Sequence, residues 1–304
     1  MPNTFQAEKL ADPLEDFYLY LNKRNIPLLY VAAPEKNMQG YTKFPALIKN
    51  YGNDNVDAFL EQLGQKDIPY LDLRAELAKL KDKDHFFYYT DHHWTTPTAF
   101  WGFQQVVNTL NHDFNFRLDP QNKFRNSKNY TIQNNENGFV GTQGRRVGQY
   151  FTQTDNFILL LPQFATDYTF EQAWQDNAVR GTYAESLLQS EYIENEDKYT
   201  NRYAAFLGGD YPLTTITNHK QNNGIKLLVI KDSFADPLLT FLAACVEEIQ
   251  IVDLRYYTQS LYTLTQRYRP DAVLFLYSCL LYTSHLDVYK RQGIDPVHGP
   301  FQPF

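Results

Sequence analysis

"GIKLLVIKDSFADPLLTFLAACVEEIQIVDLRYYTQSLYTLTQRYRPDAVLFLYS", residues 224–278, alternates short apolar runs with amphipathic segments. The runs IKLLVI, EIQIVDL and DAVLFLY have the length and continuous apolarity of strands that are buried on both faces. The segments between them, DPLLTFLAA and QSLYTLTQRY, have the spacing of helices. Strands that alternate with helices of this length are typical of a parallel sheet covered by helices on both faces.

The amino-terminal part of the chain shows the same alternation, and its clearest helical pattern begins after Thr95, with Pro97 in the first turn. Helices are predicted from the periodicity of some segments and strands from the apolar runs of others. The segments are a helix in LADPLEDFYLYLNKRN, a strand in IPLLYVAAP, a helix in NVDAFLEQLGQK, a strand and turn in IPYLDLRAEL, a strand in HFFYYT and a helix in TTPTAFWGFQQVVNTL.

Residues 111–223 differ in character, because Asn, Gln and Gly dominate and few helical periods remain. We therefore predict a three-layer α/β/α sandwich with a mainly parallel sheet, built from residues 1–110 and 224–277. Residues 111–223 are predicted to form a long, partly β insertion or subdomain. Long insertions in compact domains are usually functional, so we expect this one to lie over the carboxyl edge of the sheet and help build a substrate cleft.

The last stretch, residues 278–304, loses both the helical and the strand periodicity. Its HLDVYKRQ segment resembles the translated sequencing-adapter strings that contaminate some assembled gene sets. We interpret residues 278–304 as a non-native tail, with an ordinary Pro-rich extension as the alternative.

Composition limits the partners of the protein. A net charge of -7 and a pI near 5.5 argue against nucleic acid and against an acidic membrane surface as partners. The sequence has no apolar stretch that approaches the length of a membrane span, and its beginning lacks the pattern of a signal peptide. Two cysteines leave the redox compartment undecided. Aromatic residues make up 16% of the chain, and we expect most of them in the core, with platforms for sugar rings as the functional alternative.

Two sequence features follow predicted strands and precede predicted helices: Asp91–Trp94, with the sequence DHHW, and Ser233 in KDSF. Ligands of open α/β sheets bind at this carboxyl edge. A serine becomes a nucleophile when a histidine takes its proton and an acceptor orients that histidine. We expect the Ser233 hydroxyl within about 2.6–3.2 Å of one His93 ring nitrogen, Asp91 at the other, and the Ser233 N–H in the same cavity. The alternative is a commonplace DS turn and a solvated histidine pair.

The remaining candidate site residues rest on less specific sequence patterns. We expect the rings of His92 and His93 to point apart, so that one faces the site and the other faces outward. Candidate substrate contacts are Trp94, Arg146 and Tyr256. Arg146, with its neighbour Arg145, fits an anionic sugar or phosphate, or else a solvated pair on a hairpin. The Tyr256–Tyr257 pair follows a predicted strand, where stacking on a sugar ring is expected.

The two motifs, DHHW followed by a helix and KDSF after a later strand, resemble the DHHW family of Gram-positive bacteria. They are also similar to the SGNH-hydrolase-like domains of alginate-type polysaccharide O-acetyltransferases. The resemblance extends over about residues 10–277 and includes LLYVAAPEKN, FVGTQGRRVGQY and FLGGDYPL. It implies Asp91 as the orienting acid, His93 as the base and Ser233 as the nucleophile, with Trp94 as a packing or substrate-side residue.

The sequence departs from the pattern of SGNH enzymes at two points. Lys231 stands where their Gly-Asp-Ser motif has its small residue, and no block carrying the oxyanion-hole Asn is evident. The order of acid, base and then nucleophile, which is permuted relative to ordinary SGNH esterases, is shared with the relatives that the chain resembles.

Three classes of function remain. The leading hypothesis is a serine-dependent O-acetyltransferase or acetyl esterase that acts on a cell-surface polysaccharide or glycan, without a cofactor or metal. The resemblance implies an extracytoplasmic, cell-surface-associated protein, attached through an upstream segment, and a membrane-bound acyl-donor partner. The alternatives are a catalytically silent carbohydrate-binding or assembly protein on the same fold and a metal-dependent phosphoesterase of the DHH type. The second alternative would need further Asp ligands at several strand ends.

Overall fold

The computed structural model describes residues 4–278 apart from residues 39, 46, 48–49, 82–84, 149 and 174–177. The predicted tail, residues 278–304, lies outside the described residues except for Ser278. The helices are α1 (Thr4–Asn22), α2 (Gly52–Gln65), α3 (Leu73–Ala78), α4 (Thr96–Asp113), α5 (Thr142–Val147), α6 (Ser190–Ile193), α7 (Ala235–Leu242) and α8 (Leu261–Tyr268). Short helical turns of other types cover Ser127–Asn129, Tyr183–Leu187 and Arg202–Ala205.

Within the described residues, ten strands form two sheets. They are β1 (Leu28–Ala33), β2 (Tyr70–Asp72), β3 (Tyr130–Phe139), β4 (Asp155–Pro162), β5 (Tyr168–Gln172), β6 (Ala178–Gly181), β7 (Leu213–Asn218), β8 (Lys226–Lys231), β9 (Glu248–Val252) and β10 (Ala272–Ser278). The large sheet has the order β2-β1-β10-β8-β9-β7-β5-β6, and its first five strands are parallel. Strands from both ends of the chain therefore share one mainly parallel sheet, and the predicted fold class is confirmed.

Alternate residues of the central strands face two separate cores. In β1, the side chains of Leu28, Tyr30 and Ala32 pack with α1, α2 and α8 on one face. Leu29 and Val31 pack with α3, α4 and α7 on the other face. Burial on both faces explains why the parallel strands are continuous apolar runs. The result is three layers, with the sheet between two sets of helices.

Residues 111–223 divide into two structural parts. β3 and β4 pair with each other in a separate two-stranded sheet. β5, β6 and β7 instead extend the large sheet through antiparallel pairing, with β7 beside β9. The central sheet therefore continues into the segment that was predicted as an insertion. These antiparallel strands contain more polar residues, as the LTTITN sequence of β7 shows, and are less uniformly buried, so they lack the continuous apolar signature of the parallel strands.

The strand predicted in HFFYYT is wrong. Residues 86–95 form a loop that closes on itself, here called the His93 loop, with one bridge between Phe87 and Trp94. Hydrogen bonds from Tyr88 N to His93 O, 3.2 Å, and from Thr95 N to Phe86 O, 2.9 Å, hold its two sides together. The side chains of Phe86, Phe87 and Tyr88 are buried because they enter the core beside α4, and not because they lie in a sheet.

Candidate active site

Ser233 lies in a tight turn between β8 and α7, here called the Ser233 turn and comprising residues 231–234. Its neighbour Asp232 is wholly buried and accepts hydrogen bonds from Phe234 N, 2.9 Å, and from Ser278 N, 2.6 Å. Burial raises the pKa of Asp232. Because Ser278 ends the adjacent strand β10, this carboxyl group fixes the turn to the carboxyl edge of the sheet.

Trp94 joins the His93 loop to the Ser233 turn. Its ring is wholly buried, and Nε1 donates a hydrogen bond of 2.9 Å to the carbonyl of Phe234. A buried tryptophan whose N–H is satisfied in this way contributes packing and orientation. The expectation of Trp94 as a substrate contact is therefore corrected, because its side chain is not accessible to a ligand.

His93 lies between Ser233 and Asp91. The Ser233 Oγ is 2.8 Å from His93 Nε2, although the two residues are 140 positions apart in the sequence. The other ring nitrogen, Nδ1, is 2.6 Å from Asp91 Oδ1, which also accepts a hydrogen bond from the His93 N–H at 3.1 Å. Both distances fall in the range that a nucleophile, base and orienting acid require.

The Asp91 carboxylate is buried and has a second partner from the segment after β3. Its Oδ2 accepts a hydrogen bond of 2.7 Å from the Thr142 N–H, which opens α5. Burial alone would raise the pKa of Asp91, but the hydrogen bond and charge of His93 outweigh it and hold that pKa well below its usual value. Asp91 is therefore ionised at neutral pH and accepts from His93 and Thr142 together.

Gly141 allows the backbone at Thr142 to approach the Asp91 carboxylate closely. A Cβ at Gly141 would lie 2.3 Å from both the Cβ and the Oδ2 of Asp91, closer than real Cβ contacts occur. Sequence reasoning missed Gly141 and Thr142 because it singled out only the arginines of FVGTQGRRVGQY. A glycine directly before a helix start, whose free N–H groups bind carboxylates, was the available signal.

The backbone of the His93 loop is held by further groups that are distant in sequence. The N–H groups of Tyr89 and Thr90 donate to the Asp155 carboxylate at 2.6 and 2.7 Å. The Gly141 N–H donates to Thr90 Oγ1, and the Gly144 N–H to the Thr90 carbonyl, both at 2.8 Å. Asp155 begins β4, and nothing in its local sequence marks it as part of the site.

Lys36, just after β1, ties the His93 loop to the sheet. Its ammonium donates to the carbonyls of Tyr89 and Asp91 at 2.8 Å each and to Gln143 Oε1 at 3.0 Å. Three donors are the full capacity of an ammonium group. Burial lowers the pKa of Lys36, with the nearby carboxylates of Asp155 and Asp91 opposing the shift.

The two histidine rings are in contact, so the expectation that they point apart is wrong. Their centroids are 3.8 Å apart, and His92 Nδ1 is 3.3 Å from Asp91 Oδ1. The opposite face of the His93 ring stacks on Tyr203 at 3.8 Å with an interplanar angle of 11°. Burial and the charge of His93 lower the pKa of His92 to about 4, so His92 is neutral at neutral pH.

Lys231 explains the departure from the usual small residue before the Asp-Ser pair. Its side chain is buried and forms ion pairs with Asp236 at 2.5 Å and Asp210 at 2.7 Å. Asp210 also pairs with Arg255 at 2.7 Å. Burial opposes the charge of Lys231, but these carboxylates raise its pKa above the usual value. The lysine therefore joins the Ser233 turn to α7 and to the segment before β7.

The other predicted contacts lie away from the three central residues. Arg146 is exposed on α5, and its charge contributes to the lowered pKa of His92. Tyr256 is exposed after β9, with the Arg255 guanidinium 5.4 Å from its ring centroid. Neither has a direct contact with His93 or Ser233 in the part of the chain that the structure describes. Tyr257 is buried, so the expectation that it stacks on a sugar is wrong.

The donor atoms of Asp91, His92 and His93 lie within 4.8 Å of one another, which is the spacing of a candidate metal site. Two of these donors, Asp91 Oδ1 and His93 Nδ1, are already 2.6 Å apart. Metal–ligand bonds of about 2.0–2.2 Å would force this hydrogen-bonded pair to separate. The geometry favours a hydrogen-bonded acid–base pair over a shared metal ligand set.

The carboxylates that follow other strands also have partners. Asp72, at the end of β2, forms an ion pair with Arg74, and Asp253, after β9, forms one with Arg255. Asp232 accepts two backbone hydrogen bonds, as described above. Additional Asp ligands, as a DHH-type phosphoesterase requires, are thus not arranged toward the histidines among the described residues.

Comparison with known proteins identifies relatives of this fold. A family model described as "SGNH hydrolase-like domain, acetyltransferase AlgX" matches residues 4–156, about half of the chain. None of the curated proteins matches the chain. In the described part of the chain, no helix combines the length and apolarity that a membrane span needs.

Several solved structures share the fold. Bacillus cereus PatB1 with a sulfonyl adduct is 22% identical, with a TM-score of 0.78 over 96% of this chain and 93% of that chain. A DHHW family protein from Eubacterium siraeum is 17% identical, with a TM-score of 0.69 over 94% and 88%. The O-acetyltransferase domain of Pseudomonas putida AlgJ is 14% identical, with a TM-score of 0.53 over 96% and 87%. At these identities the likeness establishes the fold.

Proposed function

The chain belongs to the SGNH hydrolase-like family of the acetyltransferase AlgX, and from that premise we propose that it is a serine-dependent O-acetyltransferase or acetyl esterase. The observation that carries the proposal is the row of hydrogen-bonded groups from Ser233 Oγ through His93 to Asp91, at 2.8 and 2.6 Å. We assign Ser233 as the nucleophile, His93 as the base and Asp91 as the acid that orients His93.

In the first half-reaction, Ser233 Oγ attacks the carbonyl carbon of an acetyl ester while its proton passes to His93 Nε2. The carbonyl π electrons move to oxygen, which gives a tetrahedral oxyanion. Ionised Asp91 holds Nδ1–H and stabilises the imidazolium that forms. The oxyanion then collapses, the bond to the leaving alkoxide breaks, and His93 returns its proton to that oxygen. The product is an acetylated Ser233.

In the second half-reaction, a hydroxyl group attacks the acetyl carbon of the modified serine. His93 takes the proton of this hydroxyl, and Ser233 leaves with the proton that His93 returns. A sugar hydroxyl as the attacking group gives acetyl transfer, and water gives hydrolysis. The same three residues serve both reactions, so the acceptor that reaches His93 decides between them.

The Ser233 N–H is our candidate donor to the oxyanion. It makes no hydrogen bond to another group in the described residues and lies two positions before α7. A free N–H beside a helix start stabilises the negative charge that develops on the carbonyl oxygen. This single backbone donor partly fills the role of the missing Asn block.

We further propose that the acetyl acceptor or donor is a cell-surface polysaccharide or glycan and that the protein acts outside the cytoplasm. Support comes from the family, whose model is named for an acetyltransferase, and from the fold of the AlgJ O-acetyltransferase domain. A membrane-bound acyl-donor partner is part of the same proposal. The acidic net charge of -7 is consistent with a partner other than nucleic acid.

The direct test is the Ser233→Ala variant on p-nitrophenyl acetate. We expect turnover to fall to the background rate while the unfolding temperature changes little, because removal of one edge hydroxyl costs little stability. Ser190→Ala, at an exposed serine in α6, is the matched control and should retain full activity. Turnover by Ser233→Ala comparable to that of the unchanged protein would refute the proposal.

A further inference from the structure

We infer that a cavity beside His92 binds a sugar unit, so that the acetylated or accepting hydroxyl reaches His93. The inference rests on the proposed function and adds a location for the glycan. The cavity has a volume of about 620 Å³. Ligand sites for small molecules typically measure about 300–1,000 Å³, so the space is sufficient for one or two sugar rings.

His92 connects the cavity to the catalytic residues. Its ring lines the cavity and lies 3.8 Å, centroid to centroid, from the ring of His93. His93 Nε2 is in turn 2.8 Å from Ser233 Oγ. A ligand that contacts the His92 ring is therefore one ring away from His93.

Tyr89 lines this cavity and offers a stacking surface. Its side chain is 60% exposed, yet its backbone is fixed on both sides by hydrogen bonds with Lys36 and Asp155. Exposed aromatic rings on an immobilised backbone bind apolar ligand faces at little cost in conformational entropy. Phe44, which is 41% exposed, and Tyr41 line the same cavity. The apolar C–H faces of a pyranose ring fit this arrangement.

Amide side chains supply neutral polar groups at the same wall. Gln143 Oε1 accepts a hydrogen bond from Lys36, and the NH₂ group of Gln143 has no acceptor among the described residues. Asn37 also lines the cavity. Amides donate and accept hydrogen bonds, as sugar hydroxyls do. The charge of Lys36 is directed at two carbonyls and one amide oxygen. The aromatic and amide groups of the cavity therefore remain to contact a ligand, and they are suited to rings that carry hydroxyl groups.

The test compares two esters, O-acetylated cellotriose and p-nitrophenyl acetate, on the full chain. Removal of the Tyr89 ring should lower kcat/KM for the sugar ester about fivefold more than for p-nitrophenyl acetate, mainly through KM, as expected for one stacking contact. Tyr70→Ala is the matched control, since Tyr70 is 44% exposed and lies outside the cavity lining. It should leave the ratio of the two rates unchanged.

The possible failures are distinguishable. Equal losses on both esters in Tyr89→Ala, or no loss on either, would overturn the assignment of the cavity while leaving the serine mechanism intact. Ser233-dependent turnover of p-nitrophenyl acetate without turnover of the sugar ester would also overturn it. If the unchanged protein hydrolyses neither ester, the proposed function fails and the sugar site fails with it.

Discussion

The Ser233 turn and the His93 loop meet at the candidate active site but are held in place by different means. The Ser233 turn follows directly from β8 and is anchored by Asp232 to the end of the neighbouring strand β10. The His93 loop belongs to no strand of the large sheet and depends on contacts from Lys36, Asp155 and the Gly141–Thr142 turn. Changes in the residues that anchor the Ser233 turn should therefore reduce stability more often, and changes in the residues that hold the His93 loop should reduce activity.

The largest expected effect distinguishes the two histidines of the His93 loop. His93→Ala should lower kcat/KM on p-nitrophenyl acetate about 10²–10⁴-fold, the usual contribution of a general base. His92→Ala should be much milder because His92 contacts the base but not Ser233. Steady-state kinetics on the two variants provides the measurement. A greater loss in His92→Ala would mean that His92 is the base.

Gly141→Ala tests whether a residue distant in sequence positions the His93 loop. The new methyl group must displace Asp91, and a misplacement of about 1 Å costs about 10²-fold in rate. The expected result is lower kcat with little change in KM. Gly64→Ala is the control, because a Cβ there meets only Tyr70 at 4.0 Å, and it should retain full activity. Normal kcat in Gly141→Ala would show that the Asp91 contact does not matter.

Two lysine substitutions, one in each region, compare how much the Ser233 turn and the His93 loop contribute to stability. Lys231→Met leaves Asp236 and Asp210 without their buried cation, which should cost about 3–5 kcal/mol of unfolding free energy. Lys36→Met removes hydrogen bonds to the His93 loop, which is closer to solvent. This variant should therefore lose less stability than Lys231→Met and more activity per folded molecule. Urea unfolding and kinetics on both variants test this. The opposite ranking would contradict the distinction between the two regions.

The dependence of stability on pH should show the lowered pKa of His92. An unfolded histidine binds a proton near pH 6.5, whereas folded His92 binds one only near pH 4. The unfolded state therefore binds more protons in this window, and stability should fall as the pH drops from about 6.5 to 4. His92→Asn should show a shallower loss over that window. NMR titration of His92 near pH 6.5 would contradict the prediction.

The smallest expected effect is that of a chelator. Because Asp91 and His93 are hydrogen-bonded to each other, EDTA should leave esterase activity unchanged after dialysis. Activity that is lost on chelation and restored by manganese would favour the metal-dependent alternative. Metal analysis of the purified protein is the accompanying measurement.

The parts predicted correctly from the sequence are those with local physical patterns. The buried parallel strands are apolar runs, which is why the fold class could be predicted. Ser233 and His93 each lie next to a predicted helix start, and their roles as nucleophile and base stay predictions. Residues 85–90 misled the strand prediction because buried aromatic residues look alike in a strand and in a packed loop. Asp155, Lys36 and Gly141 act through contacts with residues 50 or more positions away, and one sequence gives no periodic trace of such contacts.

A sulfonyl fluoride tests directly whether His93 activates Ser233, without knowledge of the natural substrate. Activation by His93 predicts one adduct per chain, mapped to Ser233 by peptide mass spectrometry. It also predicts labelling at least about 10²-fold slower in His93→Ala, in line with loss of a general base. An adduct at another residue, or equally fast labelling of Ser233 in His93→Ala, would contradict the activation of Ser233 by His93.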